Sequence, residues 1–302
     1  MQEHTFPTYF LSHGGGPWPF MKDQFGDRYD VLEASLQDIP RQVGARPKAV
    51  LVVTAHWEGP QFLVSASPQP GMLYDYSGFP PHTYQIQYPA PGAPALATQV
   101  KQLLDAAGHP ARLDHERGFD HGTFSALFPI YPQADVPLVQ LSLKHGYDPL
   151  THVEVGRALA SLRRQGVLIL GSGLSYHNLR QFGQAGAVAS QQFDAWLRQV
   201  MALPPAPRLA QLLAWDQAPG ARQAHPQEDH LLPLMVALGA AEQEAAHVVY
   251  HEEDFFGALA VTSFRFGGMG SDGDAESLNT ANGWLNANAI GGLTPELKKA
   301  AN

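Results

Sequence analysis

A chain of 302 residues, 44% hydrophobic and 16% charged, is long enough for one large α/β domain or two ordinary ones and for a sizeable core. Its net charge of -9, with no cluster of Lys and Arg, excludes a nucleic-acid footprint, and the absence of cysteine excludes disulfides and thiolate metal sites. No run approaches the ~18 apolar residues of a membrane helix and no leader-like segment opens the chain, so no membrane partner is expected and the cytoplasm is the default compartment.

In chain order, residues 8 to 13 read as a short strand closing on His13-Gly14-Gly15-Gly16, whose glycines permit positive φ and close backbone approach. No Gly-Lys-Ser/Thr follows, which makes a phosphate cradle a weak reading. Leu32, Leu36 and Ile39 share one face of a helix over Tyr29 to Asp38, ended by Pro40 and Pro47. Val50-Leu51-Val52-Val53 fits a strand buried on both faces, and it is expected to leave the core at His56-Trp57. Ligands in open α/β sheets gather at such carboxyl ends. Phe62 to Ser65 reads as a further strand, the hairpin partner of the one that runs to His56.

From Pro68 to Pro94 the chain is rich in Pro, Gly and Tyr, which forbids a central strand or helix. Such a loop is either a pocket wall lined by aromatics or a segment packed on the core. Leu96, Val100, Leu103 and Leu104 predict a helix over Pro94 to Ala107, stopped by Gly108. A strand at 136 to 142 and a helix at 149 to 164 lead to a strand at Val167 to Leu170, which runs into Gly171-Ser172-Gly173 and then His177-Asn178. Helices are expected at Gln191 to Met201 and Leu209 to Trp215. His225 to Leu238 reads as another, with Pro226 in its first position and acids at the positive end of its dipole. Ala258 to Phe266 alternates as the last strand. The pattern is that of a single α/β domain over residues 1 to 267, a central mostly parallel or mixed sheet covered by helices on both faces. Residues 268 to 302, rich in Gly, Asn, Ala and Ser, form a tail outside that core, with a short helix near Pro295 to Ala301.

The chain's 14 histidines are about twice the usual share. Five of them, His13, His56, His121, His177 and His230, sit where the backbone turns out of an expected element. One alone would be a hydrogen-bonding group; five, with no competing cysteine, point to a metal. Neutral imidazole suits Fe, Zn, Cu and Ni alike, so the ligand type does not choose among them. A catalytic metal takes about three protein ligands and keeps an open position, and surplus imidazoles serve as proton donors and acceptors near pH 7.

The set Leu11-Ser12-His13-Gly14, Thr54-Ala55-His56-Trp57, Tyr88-Pro89-Ala90-Pro91-Gly92, Asp120-His121-Gly122-Thr123, Gly171-Ser172-Gly173…His177-Asn178-Leu179 and His225-Pro226…His230 resembles the DOPA 4,5-dioxygenase type of class III extradiol ring-cleavage dioxygenases. These are relatives of the B subunit of protocatechuate 4,5-dioxygenase. The likeness runs in family order from about residue 8 to 267. It implies a non-haem Fe(II) enzyme that uses O2 to open a catechol ring beside its two hydroxyls, with zinc as another occupant of the same site. It further implies that His13 and His56 are metal ligands and His230 the third. Glu228 is the runner-up, because the wider class uses a glutamate there; on a helix the two would point about 200° apart. His177 is implied as a fourth ligand or an acid/base, and His121 as an acid/base beside the substrate hydroxyl. Arg180 stands as a candidate for a substrate carboxylate, with a solvated side chain as the plainer reading. A zinc hydrolase using the same histidines and a non-enzymatic metal-binding protein are the alternatives, and a homo-oligomer is left open.

Overall fold

In the computed structural model, which describes residues 5 to 268, eight strands form one mixed sheet in the order β4-β3-β5-β2-β6-β1-β8-β7. They are β1 (Thr8–Ser12), β2 (Ala49–Gly59), β3 (Phe62–Ser65), β4 (Ala111–Asp114), β5 (Leu138–Lys144), β6 (Val167–Gly173), β7 (Ala246–Phe255) and β8 (Leu259–Phe266). The central strands β5, β2, β6 and β1 are mutually parallel. Their apolar runs suit burial on both faces, and every residue from Val50 to Val53 and from Leu168 to Leu170 is buried. An antiparallel pair, β8 and β7, closes one edge. At the other edge β3 runs antiparallel to β5, with β4 parallel to it.

Helices cover both faces. They are α1 (Lys22–Phe25), α2 (Asp30–Gln37), α3 (Ile39–Val43), α4 (Pro94–Ala106), α5 (His121–Ile130), α6 (Pro149–Leu159), α7 (Ala187–Met201), α8 (Pro205–Leu213), α9 (Ala221–Ala224) and α10 (Leu232–Gly239). Successive residues of β6 face opposite layers, as the pleat requires. Ser172 donates to the carbonyl of Gly122 in α5 on one side. On the other, a Cβ on Gly171 would stand 2.3 Å from the carbonyl oxygen of Pro233 in α10. None of these helices is long and apolar enough to cross a membrane.

Three local expectations are corrected. β2 does not end at His56: it continues to Gly59, because Glu58 and Gly59 regain partners in Leu143 and Lys144 of β5 after a register slip beyond Val53. His56 therefore sits in an irregular stretch of strand. Phe62 to Ser65 is no hairpin partner of that strand, since β5 lies between them in the sheet. The helix expected over Tyr29 to Asp38 stops at Gln37, just before Pro40, which itself occupies the first turn of α3, where its missing N–H costs nothing. Finally, His225 to His230 is not helical. The backbone N–H of His225 is spent on the carbonyl of Ala221, Pro226 has none to donate, and helix α10 begins at Leu232 with Pro233 in its first turn. The tail from 269 to 302, with its expected helix, lies outside the described residues.

Candidate metal centre

The histidines reach one another because short-range contacts bring their elements to the same end of the sheet. His13 follows β1, and its N–H donates to the carbonyl of Gly173 at 3.1 Å, so it continues the β1–β6 pairing. Trp18 Nε1 donates to the His13 carbonyl at 2.7 Å. The intervening Gly14 has φ +75 and no room for a Cβ beside the Trp18 ring. His230 lies in the loop before α10, and its carbonyl accepts from Leu174 N at 3.1 Å. His121 opens α5, with Asp120 as its N-cap: the carboxylate accepts from Thr123 N at 3.0 Å and from Thr54 Oγ1 at 2.9 Å. Arg117 holds the irregular strand around His56, donating to the His56 carbonyl and to Asp120 at 2.9 Å each and lying 4.5 Å over the Trp57 ring.

At the centre, His56 Nε2 lies 3.1 Å from His13 Nε2 and 3.3 Å from His230 Nε2. Each of the three rings turns its other nitrogen to an acceptor. His13 Nδ1 is 3.1 Å from Ser172 Oγ, His56 Nδ1 is 3.2 Å from Asp75 Oδ2, and His230 Nδ1 is 2.7 Å from Asp229 Oδ2. A proton on each Nδ1 leaves each Nε2 with a lone pair, the tautomer that a metal ligand needs. Three lone pairs aimed together repel unless a cation stands between them. Two bonds of about 2.1 Å opening at about 95–105° span the observed separations, so the donor set fits an imidazole-bound metal.

Electrostatics favour the neutral, metal-ready form. Burial, reinforced by the neighbouring imidazoles, holds His13, His56 and His230 well below the ordinary histidine range. Burial alone would raise Asp75, but the hydrogen bond and charge of His121, then His56 and the backbone N–H of His121, bring it down to about 2. Asp229 is pushed up to about 6, chiefly by burial.

All five singled-out histidines join this cluster. His121 lies with its ring centroid 4.0 Å from that of His56, and its Nδ1 is 2.9 Å from Asp75 Oδ1. His177 is stacked on His230, with centroids 3.3 Å apart and an interplanar angle of 13°. It is half-buried, and burial first, then His121, lowers it to about 4. Ligand-type atoms of His13, His56 and His121 lie within 4.8 Å of one another, as do those of His177, Asp229 and His230. Glu228 is engaged elsewhere, in a 2.8 Å ion pair with Arg222, and Arg180 is exposed. His225, fully buried, turns its Nε2 to the carbonyl of Ser175 at 2.9 Å.

Three supporting residues, Ser172, Asp75 and Asp229, were not picked out from the sequence. Asp75 comes from the proline- and tyrosine-rich loop, which is also a wall of the site: Tyr76 lies 5.9 Å from His121, 5.3 Å from Phe79 and 6.3 Å from Phe124. That loop is fastened to itself by Tyr74 to the Ile86 carbonyl and Tyr76 to the Thr83 carbonyl, at 2.7 and 2.6 Å.

A mixed sheet with a buried imidazole cluster at one end defines an α/β protein with a candidate metal centre. Residues 7 to 262 match the catalytic LigB subunit of aromatic ring-opening dioxygenase, and the chain belongs to that family. It is 38% identical over 266 residues to 4,5-DOPA dioxygenase extradiol of Portulaca grandiflora, covering 86% of this chain and 95% of the relative. The protein of the same name from Escherichia coli (strain K12) is 33% identical over 273 residues, covering 88% and 97%. Dioxygenase tasH of Hapsidospora irregularis is 33% identical, covering 87% and 86%. A crystal structure of an uncharacterized protein from Escherichia coli K12 matches with a TM-score of 0.70 and 32% identity, over 87% of this chain and 100% of that one.

Proposed function

We propose that this member of the ring-opening dioxygenase family acts on a catechol carrying a side chain, cleaving beside the hydroxyls, with one non-haem Fe(II) held by His13, His56 and His230. The convergence of three Nε2 atoms whose Nδ1 partners all face acceptors carries this reading. When bound, Fe(II) supplies a Lewis acid for the catechol oxygens and an electron source for O2. Zinc suits the same imidazoles but has no redox chemistry, so it would occupy the site without turning it over. The zinc-hydrolase alternative is not favoured by a family whose members open aromatic rings.

The chain's own residues manage protons and orientation. His121 gives its Nδ1 hydrogen to Asp75, which leaves Nε2 as the acceptor for a substrate hydroxyl proton. His177, neutral at pH 7, stacks on one ligand and is itself only partly buried. That placement suits a proton carrier that returns a proton to oxygen as the ring opens, and suits a fourth ligand less. Tyr76, Phe79 and Phe124 offer edges and faces to an aromatic ring. The relatives named for 4,5-DOPA make a DOPA-like catechol the first substrate to try. The catalytic unit is assigned to residues 1 to 267, within a soluble cytoplasmic protein.

The test is anaerobic loading with Fe(II), followed by O2 and a panel of catechols. Oxygen uptake with a yellow ring-fission product carrying both atoms of labelled O2 is expected, and an inert zinc form. Failure of the iron-loaded chain to consume O2 with any catechol would overturn the reading.

A further inference from the structure

Asp75 lies outside any helix or strand, yet its carboxylate touches two of the histidines at once. Oδ1 accepts from the backbone N–H of His121 at 3.0 Å and from His121 Nδ1 at 2.9 Å, while Oδ2 faces His56 Nδ1 at 3.2 Å. We propose that Asp75 is a positioning residue that fixes the tautomers of both His56 and His121, making one a metal ligand and the other a proton acceptor. This inference rests on the ring-opening reading and extends it to a residue that acts through His56 and His121.

The asymmetry of the contacts gives the proposal its sharpest consequence. A backbone N–H can only donate, so the atom opposite His121 N must be an acceptor whatever occupies position 75. In Asp75→Asn the amide oxygen is therefore held at the Oδ1 place, and the NH2 group is forced to the Oδ2 place, opposite His56 Nδ1. There it donates, which drives the His56 proton onto Nε2, the atom that points at His13 and His230. Asp75→Ala removes the acceptor without imposing a wrong tautomer. If Asp75 only anchored the loop, the order would reverse: asparagine preserves the hydrogen bonds to His121 and would be the milder change.

The experiment titrates Co(II), followed by its visible absorption, into the metal-stripped full-length wild type and both variants, with a thermal melt for each. Asp75→Ala is expected to weaken Co(II) binding about 10–100-fold, the usual effect of losing a partner of a ligating histidine. Asp75→Asn is expected to bind more weakly still while melting closer to the wild type. In metal-free wild type labelled with 15N-histidine, His121 is expected to carry its proton on Nδ1. Binding by Asp75→Asn equal to the wild type, or tighter than by Asp75→Ala, overturns the proposal, as does a His121 proton on Nε2. Should Asp75→Ala fail to fold, the comparison of Asp75→Asn with the wild type decides alone. A wild type that takes up no Co(II) removes the metal reading itself, an outcome distinct from a binding wild type matched by Asp75→Asn.

Discussion

Ser172 gives its hydroxyl hydrogen to the carbonyl of Gly122 and therefore meets His13 Nδ1 as an acceptor. One serine on β6 thus fixes the proton of a ring that hangs from the neighbouring strand and ties both to the first turn of α5. Ser172 is buried, so its loss leaves both the Gly122 carbonyl and His13 Nδ1 without this partner inside the protein. Ser172→Ala is expected to lower metal affinity about 10–100-fold. A chelator competition against the wild type checks it.

Ligands and proton carriers separate by what their loss removes. His56→Ala or His230→Ala is expected to purify without metal, because each deletes an Nε2 of the central group. His121→Gln and His177→Gln are expected to retain metal and to lose kcat by about 10²–10⁴-fold, the usual worth of a positioned acid or base. Metal content and single-turnover rates on the same samples distinguish the two classes.

Gly173 sets how closely the His230 loop approaches the sheet. A Cβ there would stand 2.2 Å from the His230 carbonyl oxygen and 3.0 Å from Phe10. Gly173→Ala is expected to cost about 1–3 kcal/mol and to weaken metal binding as well, since the displaced backbone carries a ligand. Gly71→Ala, where a Cβ meets nothing within 4 Å, is the control, expected to stay within about 0.5 kcal/mol. Denaturant titration measures both.

Two histidines away from the centre make the metal-free protein acid-sensitive. Burial lowers His152 to about 4 and His225 to about 3. His152 Nε2 faces the backbone N–H of Lys144 at 3.3 Å, a contact a protonated ring cannot accept. Below an unfolded-state value of about 6.5 the unfolded chain binds these protons and the native one does not. Stability is therefore fully present above about pH 6.5 and declines as pH falls toward 4, with a slope of up to about 1.4 kcal/mol per pH unit for each group. Melting temperatures at about pH 7 and pH 5 check the sign; a metal-free protein more stable at pH 5 would contradict it.

The apolar runs of β1, β2 and β6 were legible because a strand buried on both faces has a distinctive composition, and His13, His56 and His177, within or shortly after those strands, were legible with them. Strand β4 was not: Ala-Arg-Leu-Asp is a four-residue edge segment with no distinguishing pattern. Strand β7 hid its period behind Glu252, Glu253 and Asp254, the charges tolerated on a sheet edge. The acids near His230 suggested a helix start around Pro226, but they serve otherwise, Glu228 pairing with Arg222 and Asp229 with the His230 ring. Ser172, Asp75 and Asp229 act through distances of about 3 Å, which no local pattern encodes.

The site requires a single cation shared by imidazoles from the turn after β1, from β2 and from the loop before α10. Anomalous X-ray scattering at the iron edge, from crystals of the Fe(II)-loaded chain grown without oxygen, locates that cation directly. One peak within bonding reach of Nε2 of His13, His56 and His230 is the expected result. A peak bound by His177 and Asp229 with His13 left out, or none at the cluster, would contradict it.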